Sequence, residues 1–262
     1  MNEDHVPPSR VFLAILLRDV TVARRELPFF LIRTTLQPLM FVVVFGFLLP
    51  KMGLIPGDYT TLMLPGVIAL SLTLSAIQSV ALPMVQDFGF TKEIEDRLLA
   101  PVPIELVAVE KVVAGMLQGI VASLFVLPIA RLIMGPIHGL TFRNGGLLIL
   151  ATVLGGAAFS AIGLWLGTAI APQQIGLMFS VILAPMIMFG CTYYPWAGLA
   201  RIPWMKWAVL VNPLVYVSEA MRAALTPDVP HMPAAAIFAA LLVVTAIFLF
   251  LGLRAFDKRA MS

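Results

Sequence analysis

Six long apolar runs limit what this chain can fold into more than any other feature. They cover residues 29–49, 62–83, 112–134, 146–169, 175–192 and 234–253. Each approaches or exceeds the roughly 20 residues that a helix needs to cross a hydrocarbon core about 30 Å thick. Hydrophobic residues make up 60% of the 262 and charged ones 12%, which is more apolar surface than a water-soluble core could hide. The expected fold is therefore an all-α integral membrane domain over residues 1–262, with six transmembrane helices and both termini on one side.

One charged stretch interrupts this pattern. Residues 88–110, FGFTKEIEDRLLAPVPIELVAVE, join the second and third runs. Phe90, Ile94 and Leu98 recur at i, i+4 and i+8, so they share one face of a short helix, while Glu93, Glu95, Asp96 and Arg97 surround the rest. Glu93 and Arg97 are spaced to pair. Pro101 and Pro103 then stop the helix, because proline lacks the backbone donor and restricts the residue before it. The expectation is a short, stiff, amphipathic peg between two spans.

The N-terminal segment 9–27 predicts another amphipathic helix. Ser9 is placed to cap it; Phe12, Ile15, Leu16, Val20, Ala23 and Leu27 form its apolar side, and Arg10, Arg18, Thr21 and Arg25 its polar side. Such a helix belongs in the headgroup layer. Orientation follows from lysine and arginine alone. With the N-terminus inside, the inner segments hold Arg10, Arg18, Arg24, Arg25, Arg33, Lys92, Arg97, Lys111, Arg254, Lys258 and Arg259; the outer ones hold only Lys51, Arg131, Arg143, Arg201, Lys206 and Arg222. The positive-inside rule puts both ends and the 88–110 peg in the cytoplasm.

Residues 193–230 are expected to dip into the outer leaflet as short re-entrant helices, because Trp196, Trp204, Trp207, Tyr193, Tyr194 and Tyr216 collect there. Asn212 and Pro213 supply a cap and a first-turn proline for a helix reaching about Leu225, before Pro227 and Pro230. On that helix Glu219 and Arg222 are three apart and can pair, either shaping an outer gate or serving as a local bridge. Gly115 with Gly119, and Gly163 with Gly167, form GxxxG patterns that fit packing between spans of one chain or contact across a dimer. Ser71, Thr73, Ser75, Gln78 and Ser79 in the second span are candidates for lining a pathway, or for helix packing.

Several chemistries find no support. None of the five lysines follows a glycine, so there is no Walker A loop. His5, His138 and His231 lack zinc-site spacing, and Cys191 is the single cysteine. No basic patch with interleaved aromatics points to nucleic acid. Within the apolar runs there is no carboxylate to relay a coupling ion, so the chain lacks an obvious energy source of its own.

Two stretches carry a family resemblance. Lys92-Glu-Ile-Glu-Asp-Arg-Leu-Leu-Ala-Pro-Val102 resembles the cytoplasmic segment between spans two and three of ABC-2 type permeases, although Thr91-Lys92-Glu93 stands where many members carry a glycine-threonine step. Asn212-Pro-Leu-Val-Tyr-Val-Ser-Glu-Ala-Met-Arg222 resembles their NPLxYxxEAxR stretch before the last span. The resemblance implies a non-catalytic permease subunit of an ATP-driven exporter in the bacterial inner membrane. Two copies would form the pathway, and two copies of a separate ATP-binding subunit would hold the ATP and magnesium. Thr91, Lys92, Glu93, Ile94, Glu95, Asp96, Arg97 and Leu98 would be the docking peg, with Asn212, Pro213, Tyr216, Glu219 and Arg222 at the outer gate. The cargo implied is a drug, lipid or glycan. The reading that competes is a self-sufficient ion-coupled carrier or channel; a membrane-embedded enzyme would need converging catalytic groups that the runs do not hold.

Overall fold

The computed structural model describes residues 8–25, 27–88, 103–137 and 139–260, and among them every regular element is helical. Helix α1 is Pro8–Arg25. Helix α2, Leu27–Lys51, contains a π-helical stretch at Val42–Leu48. Helix α3 is Tyr59–Gln86, α4 Ile104–Met134 and α5 Gly145–Ala169. A short helix, α6, runs over residues 175–188, with a π-helical middle at Met178–Leu183. Two helices, α7 (Pro203–Val211) and α8 (Pro213–Leu225), meet at 102°, and α9 is Ala234–Ala260.

Among the described residues α2, α3, α4, α5 and α9 are long and apolar enough to cross a membrane. The sixth expected span, 175–192, is not one of them. Its helix ends at Met188, and 14 residues at 1.5 Å each reach only about 21 Å. Gly190 sits against Leu214 and the Met186 carbonyl, and Cys191 turns into the left-handed region (φ 52°), so the chain leaves the helix there. Two further boundaries differ from expectation. Helix α4 begins at Ile104, so 104–110 is helix rather than loop; Glu105, Glu110 and Lys111 had masked an otherwise sound helical start. Pro8 opens α1, which leaves Ser9 inside it rather than capping it. Residues 203–225 form a bent helix pair whose α8 matches the expected 213–225 range.

Glycines fix how the helices run. Gly115 and Gly119 of α4 press on α3 at Ala76–Val80 and Leu72 respectively, so these helices are antiparallel. Gly155, Gly163 and Gly167 of α5 meet α3 at Leu72, Ile77 and Ala81–Met84, so α5 runs with α3. Gly252 of α9 lies on Leu164, and Arg259 reaches the carbonyls of residues 167–170, so α9 runs with α5. Because α5 and α9 are parallel, the chain must return along the bundle between them, and α6 makes most of that return. Both GxxxG patterns are used inside the chain, letting backbones approach where a side chain would not fit.

Helix α3 is the hub: 83% of its apolar window is buried, against 11% for α9. The main core joins α3, α4, α5 and α8 through residues such as Met63, Leu72, Phe159 and Met221. A second, smaller core of Val80, Met84, Val107, Ala108, Val112, Leu164 and Phe256 closes the opposite end. Outward-facing positions are apolar instead, with Phe29, Leu132, Ile149 and Val243 widely exposed, as lipid contact requires.

Candidate functional site

The bundle has one polar cluster at each end. At the end where α3 begins, Glu219 and Arg222 of α8 pair with no exposure to solvent. Helix α8 forms because Asn212 caps it, its Oδ1 accepting from Leu214 N at 3.0 Å, with Pro213 at the first turn. The Asn212 amide also donates to the Met186 carbonyl at 2.7 Å, which ties α8 to α6. The pair then recruits backbone from four other places. Glu219 Oε1 accepts from Trp196 N (3.0 Å) and Oε2 from Met232 N (2.8 Å); Arg222 Nη2 donates to the carbonyls of Cys191 (3.1 Å) and Leu62 (3.3 Å). A buried ion pair of this kind is costly unless its remaining donors and acceptors are met; main chain meets both Glu219 oxygens and Arg222 Nη2, while Arg222 Nε has no partner among the described residues. The result joins the start of α3, the 190s turn, the segment before α7 and the approach to α9.

Around this knot, Tyr59 donates to the Tyr193 carbonyl at 2.8 Å, and the Tyr193 ring packs on Phe41 and Phe45 of α2. Tyr216 donates to the Leu210 carbonyl at 2.7 Å, holding the bend between α7 and α8. Tyr194 donates to the Met188 carbonyl at 3.4 Å, while the Tyr193 hydroxyl is buried with no partner among the described residues. Gly66 faces the Thr192 backbone so closely that a Cβ would collide with its carbonyl.

At the other end, the roots of the 88–110 stretch converge. Phe88 packs edge-on against Phe256 of α9, with ring centroids 5.5 Å apart, and the Arg259 guanidinium lies 4.9 Å from the Phe88 ring. Arg259 Nη1 donates to Thr168 O at 2.7 Å and approaches Gly167 O and Ile170 O, a cation closing the C-terminus of α5. Lys111 of α4 contacts Asp19 of α1 at 2.5 Å and lies 3.9 Å from Glu110. Phe88, Val107, Lys111, Phe256 and Arg259 thus place α1, the end of α3, the start of α4 and the end of α9 at one pole.

The expected site residues are distributed unevenly over this frame. Thr91, Lys92, Glu93, Ile94, Glu95, Asp96, Arg97 and Leu98 lie outside the described residues. Asn212, Pro213, Tyr216, Glu219 and Arg222 all come together at this knot, where α3 begins. Ser71 and Ser75 are fully buried between helices and Gln78 is half-buried; Ser79 donates to the Ser75 carbonyl at 2.6 Å. Within one chain the two buried serines face packed neighbours rather than an open channel. The backbone donors Trp196 and Met232, Asp19 with Lys111, and the Arg259 cap were not foreseen. Their partners are 13 to 92 residues away, and only the single charges inside helical periods hinted at them.

Comparison with known proteins supplies the remaining observation. The profile of the family described as ABC-2 type transporter matches residues 10–226, from α1 to the residue after α8. The chain belongs to the ABC-2 type transporter family. Among curated relatives, the inner membrane transport permease YadH of Escherichia coli (strain K12) is 27% identical over 196 residues, 70% of each chain. Its counterparts in Escherichia coli O157:H7 and Shigella flexneri match to the same extent. In ABC-2 terms, the family match takes in Asp19, Lys111, Glu219 and Arg222 and stops short of Met232 and Arg259. This ABC-2 chain is thus a multi-pass membrane transport protein by family and by its long apolar helices.

Proposed function

We propose that the chain is the membrane-spanning permease subunit of an ATP-driven exporter in a bacterial inner membrane, with both termini cytoplasmic. Two copies form the pathway, and a separate ATP-binding subunit, also in two copies, holds ATP and magnesium. The family supports an ABC-type partnership, and the relatives named inner membrane transport permeases support the location. One observation carries the reading: α1, both roots of the 88–110 stretch and the basic end of α9 meet at a single pole. A partner that docks there reaches α3, α4 and α9 at once. The peg of Thr91–Leu98 is the docking element.

The opposite pole fits an outer gate. The Glu219–Arg222 pair ties α8 to the start of α3 and to the turn after α6, so rocking of α3 or α6 reaches the bent α7–α8 pair. Rigid-body motion of this kind is the expected mode of alternating access. The return of the chain between parallel α5 and α9 supports a sixth crossing, completed by α6 and the 190s turn despite the short helix. The cargo is a drug, lipid or glycan moved outward. Co-purification with the ATP-binding subunit after Glu93, Glu95 and Asp96 are replaced by alanine tests the docking role. Loss of association supports it, and unchanged association with unchanged ATP-driven transport contradicts it.

A further inference from the structure

We propose that the Asp19–Lys111 ion pair is the joint that makes α1 move as one body with the first turns of α4, so that force received by α1 is delivered to the spans. The inference rests on the docking reading above and adds a pair of positioning residues to it.

The two residues lie 92 positions apart, yet their side chains touch, with Lys111 8% and Asp19 14% exposed. Helix α1 has two contrasting lines. Leu13, Leu17 and Val20 are exposed, which suits the boundary between headgroups and acyl chains, while Phe12, Leu16 and Asp19, at i, i+4 and i+7, are the half-covered line. Apolar contact alone gives α1 little reason to stay on α4, since lipid tails are as apolar as leucine. A charge pair shielded from water does give one, because its attraction strengthens as the surrounding dielectric falls. The location of Lys111 matters as well. It stands one turn beyond Val107 in the second core, just after the root of the docking stretch, so α1 and that stretch act on the same length of α4. Glu110 Oε2, 3.9 Å from Lys111 Nζ, makes a charge swap unsuitable as a test, since an aspartate at 111 would face another carboxylate.

Neutral replacements test the joint. Spin labels are placed at Leu17→Cys and Leu117→Cys of one copy only, beside an unlabelled copy and in a Cys191→Ser background, in the complex with its ATP-binding subunit in lipid nanodiscs, and distances are read by pulsed electron resonance with and without vanadate-trapped nucleotide. The native pair should give one narrow distance, identical in both nucleotide states. Asp19→Asn with Lys111→Met should broaden it about twofold, as expected when a coupling between buried charges is lost. In the same variant, a label pair at Leu132→Cys, measured between the two copies, should lose its nucleotide-driven change while ATP hydrolysis continues. A native distance that shifts with nucleotide overturns the proposal, as does a variant of unchanged width. Asp19→Cys with Lys111→Cys, bridged by a short bifunctional thiol reagent, should restore the outer-end change; failure to restore it counts against the joint. Should the native chain bind no ATP-binding subunit, the docking reading falls. The α1–α4 width in the chain alone then decides the joint: broadening by the double variant supports it, and native width overturns it.

Discussion

At the scale of single residues, the Glu219–Arg222 pair dominates because neither partner is tolerable alone. Glu219→Gln leaves the Arg222 guanidinium buried without a countercharge, and breaking a buried pair this way costs about 3–5 kcal/mol. The purified protein in detergent should therefore unfold at a clearly lower temperature, whereas Glu219→Gln with Arg222→Met should recover part of the loss; a double variant less stable than the single one contradicts the account. Gly66→Ala forces a methyl onto the Thr192 carbonyl and should cost about 1–3 kcal/mol in the same assay, with Gly57→Ala, in open space, as the silent control. The spacing of Glu219 and Arg222 was legible in the sequence, as were the Asn212 cap and the Pro213 start. Their partners were not, because the carbonyls of Leu62 and Cys191 carry no side-chain signature and come from 160 and 31 residues away.

At the scale of elements, hydropathy located the five long helices well and misjudged where charge enters one. Helix α4 starts at Ile104, directly after Pro103, and carries Glu110 and Lys111 buried within it, a stretch that a count of apolar residues scores as loop. At 175–192 the helix is shorter than the apolar run, because Gly190 and the turn at Cys191 end it at Met188. The second core makes an element-level prediction. Phe256 of α9 is fully buried against Phe88, so Phe256→Ala should cost about 3–5 kcal/mol and loosen that pole first. Hydrogen exchange should then rise in residues 80–88 and 104–112 before it rises around Glu219; uniform exchange across the bundle would show that the two cores do not open independently.

At the scale of the whole molecule, the chain is a bundle of long helices with a polar knot at each pole, and its fold class was evident from run length alone. Placing α1, the roots of the 88–110 stretch and the end of α9 at one pole required the structure. The orientation of that pole in the membrane, and its engagement by an ATP-binding subunit, form the central claim. The most direct measurement introduces Glu95→Cys in a Cys191→Ser background and exposes it to a membrane-impermeant thiol reagent, first in intact cells and then in inside-out vesicles that carry the ATP-binding subunit. The account predicts no labelling in intact cells, labelling in inside-out vesicles, and protection when the ATP-binding subunit is bound. Labelling from the outside of intact cells would contradict it.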